Sequence, residues 1–356
     1  MSEGVAVLQH SSRYEVNTLR RFMEQAFTAC GVSEADGQIV VDNLLYAELR
    51  GIKSHGVSRF PVYLRRIQMG AVNPQPQISM EQRTPVLLKV DGDNGLGSVV
   101  MVHALNRGME LAEQLGICAV GIKGSNHCGA SGYYCELAAE QGLVSIVLTD
   151  GPPATPPWGG RKAYFGTNPM AFGLPRAQKP HIIVDLATSL AARGKVIRAA
   201  AQGEKIPEGW ALDREGLPTT DPQAALAGVL LPMAGAKGYA LSLVVEHLAG
   251  VLVGAGFGKD VAWQYSEGNK PANVGHFIIL VKADAFMEMA DYHKRTEQFV
   301  EEIKKIPLAP GTKEIKLPGE RSWEQQQNTE AQGIILDADL QAALQTIAQE
   351  LTINLG

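Results

Sequence analysis

The sequence lacks the glycine patterns by which nucleotide-handling enzymes are usually recognised. No G-x-G-x-x-G turn and no G-x-x-x-x-G-K-[ST] loop occurs in its 356 residues, which removes the common phosphate cradles. Gly92, Gly95 and Gly97 have the wrong order. Gly254, Gly256 and Gly258 run into Lys259, where a third glycine of the pattern would have to stand. Only four cysteines are present, Cys30, Cys118, Cys128 and Cys135. They form no C-x-x-C pair, and no His/Cys spacing resembles a zinc site, so no metal is expected. Free thiols fit a reducing, cytoplasmic setting. There is no long basic run and the formal net charge is −5, so electrostatics gives no reason to expect nucleic acid or an anionic membrane. Met1–Val16 is mixed and polar, unlike the apolar segment of a secretion signal. The best membrane candidate, Gly238–Phe257, carries Glu246 and His247 in its middle. A charge there is costly in lipid, so this segment reads as a buried helix.

What is present is the composition of a folded chain, 45% hydrophobic and 19% charged, with no internal repeat or low-complexity stretch. Leu19, Phe22, Met23, Ala26 and Phe27 follow the spacing of one apolar helix face within Asn17–Ala29. Ser33 with Asp36 resembles a capping box, opening a helix that Gly51 stops near Arg50. A further helix is expected from Ser58, with Ser58 as its cap, to a point before Gly70. Beyond Asn73–Pro76 the pattern changes. Val86–Val90, Ala119–Ile122, Val144–Leu148, Ile182–Val184 and Phe277–Val281 read as strands. Ala104–Leu115, Gly132–Gln141, Phe286–Lys305 and Leu340–Leu351 read as helices. This alternation predicts an α/β (α+β) fold: a central α/β domain over 81–282, and a helical domain from both chain ends, 1–80 plus 283–356.

Several segments carry unusual local chemistry. His55, in Ser54-His55-Gly56, lies in a loop beside glycine, with Arg59 and Tyr63 following at four-residue steps. A neutral imidazole accepts a hydroxyl proton and a guanidinium grips a carboxylate, so the trio suits a small organic acid. A polar surface loop with a salt-bridged arginine fits the same residues. Gly124–Gly129 follows a strand and precedes a helix, the place where α/β sites form. It offers His127 as an acid/base group and, less favoured, Cys128 as a nucleophile. Gly166-Thr167-Asn168-Pro169 reads as a turn. Asp185, after Ile182–Val184, can accept from ribose hydroxyls or a histidine, or cap a helix. Lys237, before Gly238 and Tyr239, opposes the dipole at a helix start, so it serves an anion or is simply solvated. His10, His103, His181, His247, His276 and His293 lack supporting context and read as structural.

Taken together these segments resemble the malate/L-lactate dehydrogenase family that does not use the Rossmann fold. The matching stretches are Leu49-Arg50-Gly51 with Ser54-His55-Gly56, Arg59 and Tyr63; Ser125-Asn126-His127; Phe165–Pro169; Asp185–Ser189; Lys237-Gly238-Tyr239; and Leu317-Pro318-Gly319-Glu320. They run in consistent order over nearly the whole chain. The resemblance implies a fold with a central mixed sheet, a homodimer with a shared site, and hydride exchange between NAD(P) and a 2-hydroxy acid. By the same resemblance His55 and His127 are the acid/base residues, while Ser54, Arg59 and Tyr63 bind the substrate. Asp185, Leu186, Ala187, Lys237, Gly238, Gly319, Glu320 and Arg321 would meet the cofactor, NAD first and NADP as the alternative. Gly151 stands where relatives usually show serine. The short Leu231–Lys237 segment resembles ureidoglycolate dehydrogenases, making ureidoglycolate the first substrate expectation. Malate, L-lactate, sulfolactate or an imino acid follow. A Cys128/His127 hydrolase and a non-catalytic metabolite binder are the rivals from other classes.

Overall fold

The computed structural model describes residues 13–355. Residues 1–12, which include His10 and most of the polar segment Met1–Val16, lie outside them, as does Gly356. After a short strand β1 (Arg13–Tyr14) come α1 (Val16–Ala29), α2 (Glu34–Leu49) and α3 (Phe60–Gln68). The five apolar positions of α1 are all buried, as their spacing requires. Ser33 caps α2, its Oγ accepting from the Asp36 N–H at 3.1 Å. Ser58 does not cap α3. It sits in a single 3₁₀ turn, Val57–Arg59, and its hydroxyl donates to the Lys53 carbonyl at 2.7 Å. The helix proper begins at Phe60, with Pro61 tolerated in its first turn.

The middle of the chain runs β2 (Ser79–Thr84), β3 (Leu87–Asp91), α4 (Gly97–Leu115), β4 (Ile117–Ser125), α5 (Ser131–Glu140), β5 (Leu143–Thr149), β6 (Met170–Leu174) and β7 (Ile182–Leu186). Then follow α6 (Arg193–Gln202), β8 (Ala211–Leu212), β9 (Pro218–Thr219), α7 (Pro222–Ala227), β10 (Val229–Leu230), α8 (Ala236–Glu246) and β11 (Val274–Lys282). The chain finishes with α9 (Met289–Lys304), α10 (Glu320–Gln332), β12 (Ile334–Ile335) and α11 (Ala338–Leu351). Seven strands form one sheet in the order β2-β3-β4-β11-β5-β6-β7, in which only β3 and β4 pair in parallel. This is a mixed sheet, not the doubly wound parallel one, so the glycine fingerprint of the latter has no place in it.

The topology fixes where a site can form. β4 and β5 are both antiparallel to β11, and β7 returns parallel to β5 through β6. The carboxyl ends of β4, β5 and β7 therefore share one sheet edge with the first residues of β11. Beneath that edge, Val100, Met101, Leu105, Ile122, Tyr134 and Ile278 belong to the sheet core. A second core joins Leu19, Phe22, Phe27, Leu44 and Phe60 to Ile334 and Leu344, so the two chain ends pack on each other.

Beyond the Ser58 cap, the structure differs from the sequence reading at several elements, including two strands it did not expect, β2 and β6. α4 begins at Gly97, seven residues before the apolar pattern that announced it. A small unit of α6, α7 and the three-stranded sheet β10-β8-β9 was not anticipated, because its strands are two residues each. α10 buries no residue and so has no apolar period to reveal it. In the apolar run after Lys237, α8 passes into a π-helical turn, His247–Leu252. Glu246 is buried there and accepts from Asn168 Nδ2 at 2.7 Å and the Gly258 N–H at 2.6 Å. Among the described residues no helix is long and apolar enough to cross a membrane.

Candidate active site

A cavity of about 900 Å³ lies at the shared sheet edge. It gathers Ser54, His55, Arg59, Tyr63 and His127 on one wall, and Asp185, Leu186, Ala187, Gly319 and Arg321 on another. Lys237, Gly238 and Glu320 do not line it. Lys237 is exposed on the first turn of α8. Gly238 is buried against the Met233 carbonyl. Glu320 accepts from the Leu317 N–H at 2.9 Å and pairs with Lys304.

The imidazoles of His55 and His127 stack with centroids 5.3 Å apart and an interplanar angle of 24°. Tyr63 Oη lies 2.6 Å from His127 Nδ1, and the Gly129 N–H points at the same nitrogen from 3.3 Å. An amide N–H can only donate, so Nδ1 is the acceptor and the neutral ring carries its proton on Nε2. His55 Nδ1 lies 2.9 Å from Ser54 Oγ. Burial, reinforced by Arg59, pushes His55 down to about 4. His127 is held well below the usual imidazole value by burial first, then by His55, Arg59 and His276. Both rings are therefore neutral at physiological pH.

The loop bearing His127 is fixed from three sides. Asn126 Nδ2 donates to the Gly95 carbonyl at 2.8 Å and to Asn94. The start of α4 packs so closely that a Cβ on Gly97 would come within 2.2 Å of the Asn126 carbonyl oxygen. Behind the loop, His276 is fully buried, with Nε2 at 2.9 Å from Ser125 Oγ and Nδ1 at 3.0 Å from Thr149 Oγ1. It ties the ends of β4 and β5 together from the strand between them. Sequence reasoning passed over it, since nothing next to His276 in the chain signals these partners. Its pKa falls to about 3 through burial. Cys128 is no activated nucleophile: burial raises its thiol to about 12, and its polar neighbour is Thr149, 3.8 Å away. The His127 nitrogen that would activate it is taken up by Tyr63.

The opposite wall suits a dinucleotide. Asp185 Oδ2 accepts from the Gly132 N–H at 2.8 Å, so it caps α5 while facing the cavity. Desolvation raises its pKa. The first residues of α10, Arg321 and Ser322, also line the space, and a helix N-terminus is a place where phosphate can be held. At Gly319, φ is +96° and a Cβ would lie 3.1 Å from the Ile183 nitrogen. Only glycine lets this turn dock on the edge of β7.

A mixed sheet of this order, with two neutral histidines stacked in one cavity, makes a proton-transfer site on a fold outside the doubly wound class. A family model described as malate/L-lactate dehydrogenase matches residues 14–345, and the chain belongs to that family. It is 37% identical over 335 residues to an L-sulfolactate dehydrogenase of Methanothermobacter thermautotrophicus, covering 94% of this chain and 96% of the relative. It is 33% identical over 323 residues to the NAD(+) ureidoglycolate dehydrogenase of Escherichia coli K12, covering 91% and 92%. The sulfolactate dehydrogenase structure from Methanocaldococcus jannaschii superposes with a TM-score of 0.89 at 34% identity, covering 97% of this chain and 98% of that one. The chain is thus a nicotinamide-dependent dehydrogenase of 2-hydroxy acids.

Proposed function

We propose that the enzyme interconverts a small 2-hydroxy acid and its 2-oxo acid at the His55–His127 pair, with Arg59 holding the C1 carboxylate. The observation that carries this reading is the Tyr63–His127 contact, which leaves a neutral imidazole with its N–H turned away from Tyr63. His127 Nε2–H hydrogen-bonds the C2 oxygen. His55 keeps its Nδ1 on Ser54 and receives the hydroxyl proton at Nε2. A bound nicotinamide supplies the acceptor for the C2 hydride. Asp185, Leu186, Ala187, Gly319 and Arg321 form the wall against which it lies. Positioning by Arg59 and Tyr63 contributes alongside proton transfer, whose own share is typically ~10²–10⁴-fold.

NAD is the proposed cofactor, as in the ureidoglycolate relative, with NADP tested beside it. A homodimer is proposed on the apolar face of α8 and the turn after it, where Leu241, Val244, Val251 and Leu252 are 39–58% exposed. Lys237 and Gly238, away from their own cavity, would serve a cofactor only across that interface. The four unpaired thiols support a cytoplasmic setting. On substrate, the short 231–237 segment favours ureidoglycolate, whereas the cations of the cavity favour a malate- or sulfolactate-like acid. The test is a panel of 2-hydroxy and 2-oxo acids with NAD(H) and NADP(H), followed at 340 nm. Ligand binding without any absorbance change would reduce the protein to a metabolite binder.

A further inference from the structure

We infer that Arg193 is a specificity residue, selecting 2-hydroxy acids that carry a second acidic group, a carboxylate or sulfonate attached to C3. The inference rests on the 2-hydroxy-acid reading above and goes one step past it.

Four guanidinium groups of the cavity wall have no carboxylate partner among the described residues; Arg321 stands on the Gly319 side, and the other three are Arg59, Arg66 and Arg193, whereas Arg50 is paired with Glu136 at 3.3 Å. Desolvation lowers the pKa of each of the three. Cations held this way are costly unless an anion arrives. Their other commitments separate them. Arg66 donates from Nη2 to the Lys270 carbonyl at 2.8 Å, and its Nη1 is sealed from solvent, so it serves the 262–272 segment. Arg59 donates to the Ser54 carbonyl and is the group proposed for C1. Arg193 gives one Nη to the Leu226 carbonyl at 3.2 Å, and its remaining donors have no acceptor among the described residues.

The start of α6 that carries it lines the cavity beside Ser54. The residue after it, Gly194, lies against Ser54: a Cβ there would be 3.8 Å from Ser54 Cβ. One loop supplies an aromatic ring to each of the two free arginines. Trp263 lies 5.1 Å from the Arg193 guanidinium carbon, and Tyr265 lies 5.7 Å from that of Arg59. These rings lie against the guanidinium groups without cancelling their charge. Two unneutralised cations flanking Ser54 match an acid with two anionic groups. Lactate presents a methyl group to Arg193, and ureidoglycolate a neutral urea.

The test compares kcat/KM of the full-length enzyme for malate and 3-sulfolactate with that for lactate and ureidoglycolate, and repeats it for Arg193→Met and Arg193→Lys. NADH fluorescence on binding serves as the check that each variant is folded. We expect the wild type to prefer the two dianions, and the malate-to-lactate ratio to fall roughly 10²-fold in Arg193→Met, with partial recovery in Arg193→Lys. Equal losses on all four acids, or a raised KM for the dinucleotide, would assign Arg193 to the cofactor and overturn the inference. A wild-type preference for lactate or ureidoglycolate overturns it without any variant. No hydride transfer with any acid removes the 2-hydroxy-acid reading itself, and this inference with it.

Discussion

Nδ1 of His127 lies 2.6 Å from the Tyr63 hydroxyl and accepts from it, because the Gly129 N–H on the same nitrogen already fixes Nδ1 as an acceptor and leaves the ring proton on Nε2. Tyr63→Phe removes the shorter of the two contacts on that nitrogen, leaving only the Gly129 N–H at 3.3 Å to orient the ring. We expect kcat to drop roughly 10–10²-fold with a smaller change in KM. His127→Gln keeps an N–H donor near the same place and should retain about tenfold more activity than His127→Ala. Equal activity in the two His127 variants would remove the donor role.

The pH dependence follows from burial. His55, at about 4, stays neutral throughout the physiological range, so the oxidation rate should show no break near the ordinary value of 6.5. Stability behaves differently. The unfolded chain takes up protons at its histidines near 6.5, while the native fold resists until about 4 at His55 and about 3 at His276. Stability is therefore full above about 6.5 and is lost as the pH falls through that window. Urea midpoints measured between pH 7.5 and pH 4.5 should decline from about pH 6.5 downward. A flat profile would mean these rings are accessible to water.

His276 does not line the cavity, yet it should matter to turnover. His276→Ala leaves the Ser125 and Thr149 hydroxyls without their buried partner. That should cost about 2–4 kcal/mol in urea denaturation and lower kcat more than it raises KM. His276→Gln, which both donates and accepts, should restore much of the rate. If it restores stability without rate, the hydrogen bonds to Ser125 and Thr149 are not what sets turnover.

Gly97→Ala should be among the more damaging small substitutions, since the added carbon meets the carbonyl oxygens of Asn126 at 2.2 Å and His127 at 2.5 Å. The backbone must shift, so we expect a loss of about 2–4 kcal/mol and a lower kcat. Differential scanning calorimetry with parallel kinetics measures both. A fully stable, fully active variant would show that the loop is not pinned from this side.

Much of this was legible in the chain because it is local. The period of α1, the cap at Ser33, and the loops holding His55 and His127 each carry their own signal. What escaped is non-local or silent. β11, from residues 274–282, inserts between strands that end at Ser125 and Thr149, a pairing no periodicity announces. Arg193 opens a helix that buries only Val196, and His276 sits inside an ordinary hydrophobic strand, so neither stood out. Lys237 had a plausible electrostatic motive, but the fold points the start of α8 away from the cavity of its own chain.

The central position of β11 also bears on how the enzyme could be taken apart. In doubly wound dehydrogenases the nucleotide half is a contiguous cassette that can be cut out or grafted. Here the strand that completes the cofactor-facing edge arrives more than a hundred residues after the strands it separates. A stretch cut to end before residue 274 lacks the strand between β4 and β5, so a piece that keeps this edge has to run on through β11.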